Sequence, residues 1–181
     1  MGYLSEPKEG CVIPVSIGLP QDDQNLLEGE LRKVIEKLGP GMELPEIKAT
    51  SVKAEWQGGG KIPSGLNNED QFTRLLETTK DGPVVLWFHG GGYVTGSSAM
   101  ERTATFKLAR MTGGRVFAVD YRLAPQEPFP AGLIDAIVAY KYLIDPPPGA
   151  LHSAIDPSKL LIGGDSSGVN SRSFKSNHRV G

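Results

Sequence analysis

Lys159-Leu160-Leu161-Ile162-Gly163-Gly164-Asp165-Ser166-Ser167-Gly168 is the stretch on which the fold of this 181-residue chain turns. Lys159 to Gly163 is a largely apolar run that reads as a buried strand, and Gly164 to Gly168 fits G-x-S-x-G. In that motif a sharp strand-to-helix turn lifts the serine hydroxyl above a sheet. Five residues of glycine and serine arise easily by chance, so the motif needs its context.

The context lies upstream. Val84-Val85-Leu86-Trp87-Phe88 is a continuous apolar run, as in a strand covered on both faces, with Trp87 read as core. A helix is expected over 98–111, ending at Thr112-Gly113-Gly114. A second buried strand, Arg115 to Val119, follows, and then a helix from Ala131 to about Ile144 after Pro130. Strand–helix–strand–helix–strand implies an α/β fold with a mostly parallel sheet and crossover helices. Before it, Asp22 or Asp23 can cap a helix to about Leu38, with Leu27, Leu31, Val34, Ile35 and Leu38 on one face and Gly39-Pro40-Gly41 as its stop. Val52, Ala54 and Trp56 alternate with polar residues like a half-buried strand, Gly58-Gly59-Gly60 marks a turn, and a helical turn surrounds Phe72-Leu75-Leu76. Residues 1–20 show no clear period, which places Cys11 in coil and marks it as inert.

His89-Gly90-Gly91-Gly92-Tyr93 stands at the C-terminal end of the Val84–Phe88 strand. Glycines without Cβ atoms let backbone N–H groups approach a ligand closely. Such donors can stabilise the oxyanion that develops on a carbonyl during acyl transfer. Followed by the elbow motif, the loop makes Ser166 the candidate nucleophile and the Ser167 amide a second donor. Tyr93 reads equally as pocket lining or packing.

These residues, with Asp120-Tyr121-Arg122-Leu123-Ala124-Pro125 and Pro128-Phe129-Pro130-Ala131, make the chain resemble the hormone-sensitive-lipase-like family of α/β hydrolases. Pro146-Pro147-Pro148-Gly149-Ala150-Leu151-His152 looks like fungal carboxylesterase or sterol-deacetylase members. The resemblance implies the N-terminal part of an α/β-hydrolase fold, with later strands missing. It implies a serine carboxylic-ester hydrolase working through an acyl-enzyme on small-molecule esters of modest acyl length. Gly91, Gly92 and the Ser167 amide would form the oxyanion hole, with His89, Gly90, Gly164, Asp165 and Gly168 supporting the motifs. No metal or organic cofactor is implied. The Tyr121–Pro125 loop is read as scaffolding, because Pro125, Pro128 and Pro130 restrict the backbone. Residues 1–40 form an N-terminal coil and helix contributing to a cap, 41–168 a partial hydrolase core, and 169–181 an aberrant disordered tail.

The family order is Ser, then Asp or Glu, then His, and a serine needs that base and the base its acid. Fifteen residues follow Ser166 and none is Asp or Glu. His178, the later histidine, would stand roughly 18 Å along a helix from Ser166, too far for a base. The segment after Gly168 is polar, Ser/Asn-rich and basic. Val169 requires a GTN codon, the start of a splice donor, so translated intron or a frameshift would account for the tail. The chain by itself is expected to be inactive. Its open strand edge is expected to make it poorly soluble. A non-catalytic fragment that binds ligands or a partner is the alternative. The His89, Asp120, Ser166 order imitates a trypsin-like protease, but those folds are all-β and disulfide-bonded. Thr95, where G-x-G-x-x-G needs glycine, excludes a dinucleotide loop.

A net charge of −2 offers nothing to nucleic acid or an anionic membrane. One cysteine excludes an internal disulfide framework, and no apolar run reaches the ~20 residues of a membrane span. Met1 to Glu6 lacks an apolar signal region, and Glu6 spoils a myristoylation start. These features lead to the expectation of a cytoplasmic protein.

Overall fold

A computed structural model describes residues 10–39, 41, 51–63, 65–79 and 82–170. The elements run β1 (Cys11–Ile17), α1 (Gln21–Leu38), β2 (Val52–Gly58), α2 (Asn68–Thr79), β3 (Val84–Phe88), α3 (Ser98–Thr112), β4 (Arg115–Asp120), α4 (Ala131–Ile144), a 3₁₀ turn (Pro157–Lys159), β5 (Leu160–Gly164) and α5 (Ser167–Asn170). The sheet order is β1-β2-β4-β3-β5. β4, β3 and β5 are parallel, as the alternating pattern implies, while β1–β2 and β2–β4 are antiparallel. This is the N-terminal portion of an α/β-hydrolase fold.

Val84, Leu86 and Phe88 of β3 face one side of the sheet. There they join Trp56, Phe117 and Leu160 and the apolar faces of α1, α2 and α4. Val85 faces the other side with Val116, Ala118 and Ala109, under α3, and Trp87 packs on this smaller cluster. Two apolar faces explain why β3 and β4 read as unbroken apolar runs rather than alternating ones. Trp56 is fully buried between Phe72 and Phe117, with ring centroids 5.2 and 4.7 Å away.

The N-terminal region departs from the sequence reading. Cys11 lies in strand β1, not coil, and burial pushes its thiol pKa up to about 11, which keeps it protonated and inert. Cys11, Ile13 and Ile17 point into the core, but Pro14 interrupts the pattern. An edge strand tolerates that proline because its missing N–H can face away from the ladder. α1 begins after Pro20 rather than at an aspartate cap; Asp22 and Asp23 sit in its first turn, where negative charge suits the helix dipole. Leu31 and Ile35 are buried as expected, but Val34 is exposed. Gly58 closes β2 instead of opening a turn, and α2 is a full helix rather than a single turn. The polar face of β2 is solvated only at Lys53. Gln57 is buried and accepts a hydrogen bond from Thr105 Oγ1, and Glu55 pairs with Arg102 at 2.6 Å, both on α3.

Two long-range contacts set the C-terminal ends of the strands. Asp120, at the end of β4, accepts from Ser98 N–H (2.6 Å) and Ser98 Oγ (3.0 Å), capping α3 from outside the helix. Gly113 then ends α3 in the left-handed conformation at φ 63°. Asp135 on α4 is buried and accepts from the Arg122 backbone N–H (2.7 Å) and guanidinium, which fixes the loop after β4. That loop is scaffolding built around an ion pair as well as prolines. Val169 and Asn170, read from the sequence as the start of the disordered tail, instead complete α5; the rest of that segment, 171–181 with His178, lies outside the described residues.

Candidate active site

Ser166 sits between β5 and α5 with φ 47°, a left-handed conformation that costs a non-glycine residue about 1–2 kcal/mol. Its side chain is exposed. The turn is pinned to β3: Asp165 N–H donates to Phe88 O (3.2 Å) and Gly168 N–H to Asp165 O (2.7 Å). Glycine is required on both flanks. A Cβ at Gly164 would stand 2.6 Å from Phe88 O, and one at Gly168 would collide with the Phe88 and His89 carbonyls. The flanking glycines therefore let the elbow backbone lie directly on the end of β3.

The glycine loop meets the elbow there. Gly91, Gly92 and Tyr93 have φ values of 118°, 63° and 65°, so three successive residues leave the right-handed region. Val94 and Thr95 N–H both donate to Gly91 O at 3.1 Å and close the turn. Gly92 N–H donates to Ser167 Oγ at 3.1 Å, joining the loop to the residue after Ser166. Ser167 is buried beside Ser166, and α5 starts with it.

His89 is buried, and its Nδ1 pairs with Gly90 O at 2.7 Å. Its ring stacks on Tyr121, centroids 4.3 Å apart and planes 12° apart, and Tyr121 Oη donates to His89 O at 2.7 Å. Burial raises the Tyr121 pKa, opposed by a hydrogen bond from Ser167. The Asp165 carboxylate packs against Gly90. Glu101, on α3, has its pKa raised by burial and then by the charge of Asp165, and lowered by His89. Tyr121 and Glu101 were not singled out as site residues. A tyrosine inside a proline-rich loop and a helix-face glutamate carry no local signal of the contact they make.

The structure brings together His89, Gly90, Gly91, Gly92, Gly164, Asp165, Ser166, Ser167 and Gly168. It places no general base beside Ser166 among the described residues. His89 is committed to its own loop. His152 is buried against Trp56 and Tyr142, with Nε2 paired to Tyr142 O at 3.2 Å. Among the described residues, no three His, Cys, Asp or Glu side chains gather as a metal site, and no helix is long and apolar enough to cross a membrane.

A family profile described as alpha/beta hydrolase fold matches residues 85–170. The chain is 38% identical over 150 residues to the ethyl acetate hydrolase of Pseudomonas putida, an alignment covering 72% of this chain and 46% of that protein. It is also 38% identical over 112 residues to an AB hydrolase superfamily protein of Schizosaccharomyces pombe, covering 61% of this chain and 31% of the relative. The chain therefore spans less than half the length of these curated relatives. A crystal structure of an esterase from the bacterial hormone-sensitive lipase family superposes with a TM-score of 0.50 at 32% identity, covering 84% of this chain and 44% of that one. A carboxyl esterase of the fungus Tuber melanosporum shares the fold at a TM-score of 0.58 and 23% identity, over 95% of this chain and 40% of that one. With glycine loop and serine elbow joined at the ends of β3 and β5, the chain belongs to the hormone-sensitive-lipase-like family of α/β hydrolases.

Proposed function

We propose that this chain carries the nucleophile half of a serine carboxylic-ester hydrolase. Ser166 is the attacking group. The amides of Gly91, Gly92 and Ser167 are its oxyanion donors, and the acyl group passes through a Ser166 ester. The supporting observation is the left-handed Ser166 held on β3 while the glycine loop reaches Ser167. The ester hydrolases among the relatives favour a small carboxylic ester as substrate. α1, with Leu26 and Val34 exposed, is the candidate contribution to a cap.

Among the described residues none is placed to accept the Ser166 proton, so on this reading the base and its orienting acid lie outside them. The 181 residues alone are then expected to hydrolyse p-nitrophenyl acetate no faster than background. Turnover that disappears in Ser166→Ala would overturn this. Joined in register to the C-terminal half of the P. putida relative, the chain is expected to gain turnover. Hydrolysis by that chimera that survives Ser166→Ala would remove Ser166 from the mechanism. A second reading, a binding fragment without turnover, draws on Leu161, which is 44% exposed on the terminal strand β5. A monodisperse chain that binds an ester without hydrolysing it would favour that reading.

A further inference from the structure

We propose that the Ser167 hydroxyl is a positioning group: it holds the Gly92 N–H in the resting protein and so staples the glycine loop to the elbow. Describing Gly92 as an oxyanion donor rests on the ester-hydrolase reading; the staple itself does not.

The chemistry of the groups fixes the direction of each bond. A backbone N–H can only donate and a backbone carbonyl can only accept, while each hydroxyl has one proton to give. Tyr121 gives its proton to His89 O at 2.7 Å, so its oxygen is left to accept. Because Gly92 N–H can only donate, Ser167 Oγ accepts from it, at 3.1 Å. Gly92 N–H donates to the Ser167 hydroxyl, and separately the Tyr121 hydroxyl donates to the His89 carbonyl. The two bonds tie Gly92 to the elbow and His89, three residues earlier, to the residue after β4. Ser167, Tyr121 and His89 are buried, while Gly92 is exposed, so the acceptor side of the Gly92 bond is shielded from water and the donor side faces it.

The arrangement has a chemical consequence. Gly92 N–H is not idle in the resting site, because an acceptor already occupies it. An oxyanion recruits Gly92 only by displacing Ser167 Oγ, whereas an alanine at position 167 would leave that donor unclaimed.

Amide hydrogen exchange resolved at Gly92, by NMR on the ¹⁵N-glycine-labelled chain, tests the assignment. In the unmodified chain Gly92 is expected to exchange more slowly than Gly149, an exposed turn glycine. Ser167→Ala is expected to accelerate exchange at Gly92 about tenfold, the effect of losing one ordinary hydrogen bond, with Gly114 and Gly163 unchanged as internal controls. Ser167→Thr, which keeps the hydroxyl, is expected to restore slow exchange. Unchanged exchange at Gly92 in Ser167→Ala overturns the proposal. If that variant does not fold, equal exchange at Gly92 and Gly149 in the unmodified chain overturns it equally well. The two readings fail separately: a chimera without Ser166-dependent turnover counts against ester hydrolysis and leaves the Gly92 comparison standing.

Discussion

Asp135 is the residue whose removal tests most directly what holds the loop after β4. Its carboxylate is 1% exposed and takes the Arg122 backbone N–H at 2.7 Å, Nε at 3.0 Å and a terminal guanidinium nitrogen at 2.9 Å. Asp135→Leu leaves a guanidinium that is 16% exposed without its main partner, with Glu127 3.7 Å away as a weak substitute. Breaking a buried pair costs about 3–5 kcal/mol. The Glu127 contact argues for the lower end, about 3 kcal/mol. Replacing both members by apolar residues often restores stability, because no charge is left stranded. Here it should do so only in part. In Arg122→Met with Asp135→Leu the backbone N–H of residue 122 still lacks its acceptor, at about 1–3 kcal/mol. Urea unfolding followed by the fluorescence of Trp56 and Trp87, at unchanged m-value, measures both variants. A double variant as stable as the parent would refute the role of the backbone bond. A single variant costing under about 1 kcal/mol would refute the pair itself.

Two further outcomes follow from the same geometry. Burial lowers the His152 pKa from 6.5 to about 4. Between those values the unfolded chain binds the extra proton, so stability rises with pH across the window. The native state should lose about 3 kcal/mol as pH falls from 6.5 to 4, and His152→Gln should flatten that part of the curve; equal slopes in parent and variant would refute the assignment. Ser166→Gly removes an exposed hydroxyl and relieves a left-handed backbone, so it should stabilise by about 0.5–1 kcal/mol despite the added chain entropy. A lower denaturation midpoint for Ser166→Gly would show that the turn at φ 47° carries no strain.

The parallel half of the fold was legible because its signals are local. β3, β4 and β5 are apolar runs, α3 and α4 have clear stops, and Ser166 stands in a motif whose glycines are explained by contacts within the elbow and with β3. The N-terminal half was not. Pro14 hid β1, and β2 kept Glu55 and Gln57 on a face that α3 covers through an ion pair and an amide hydrogen bond, so polarity there did not mean solvent. The site followed the same division. The residues of the two glycine motifs were identified, but Tyr121, Glu101, Asp120 and Asp135 act across 13 or more residues of chain, through partners that no local period announces.

The bond between Gly92 N–H and Ser167 Oγ spans 75 positions, and the loop and the elbow each lean on the other. This has a consequence for the order of events during synthesis. When the glycine loop has emerged from the ribosome, its partner has not been made. Closure waits until β5 has added beside β3 and Ser167 has followed it. A nascent chain therefore holds its glycine loop without an elbow for the time it takes to make those residues. Until then Ser166 has no reason to adopt its left-handed turn, and loop and elbow reach their joined geometry in one late step.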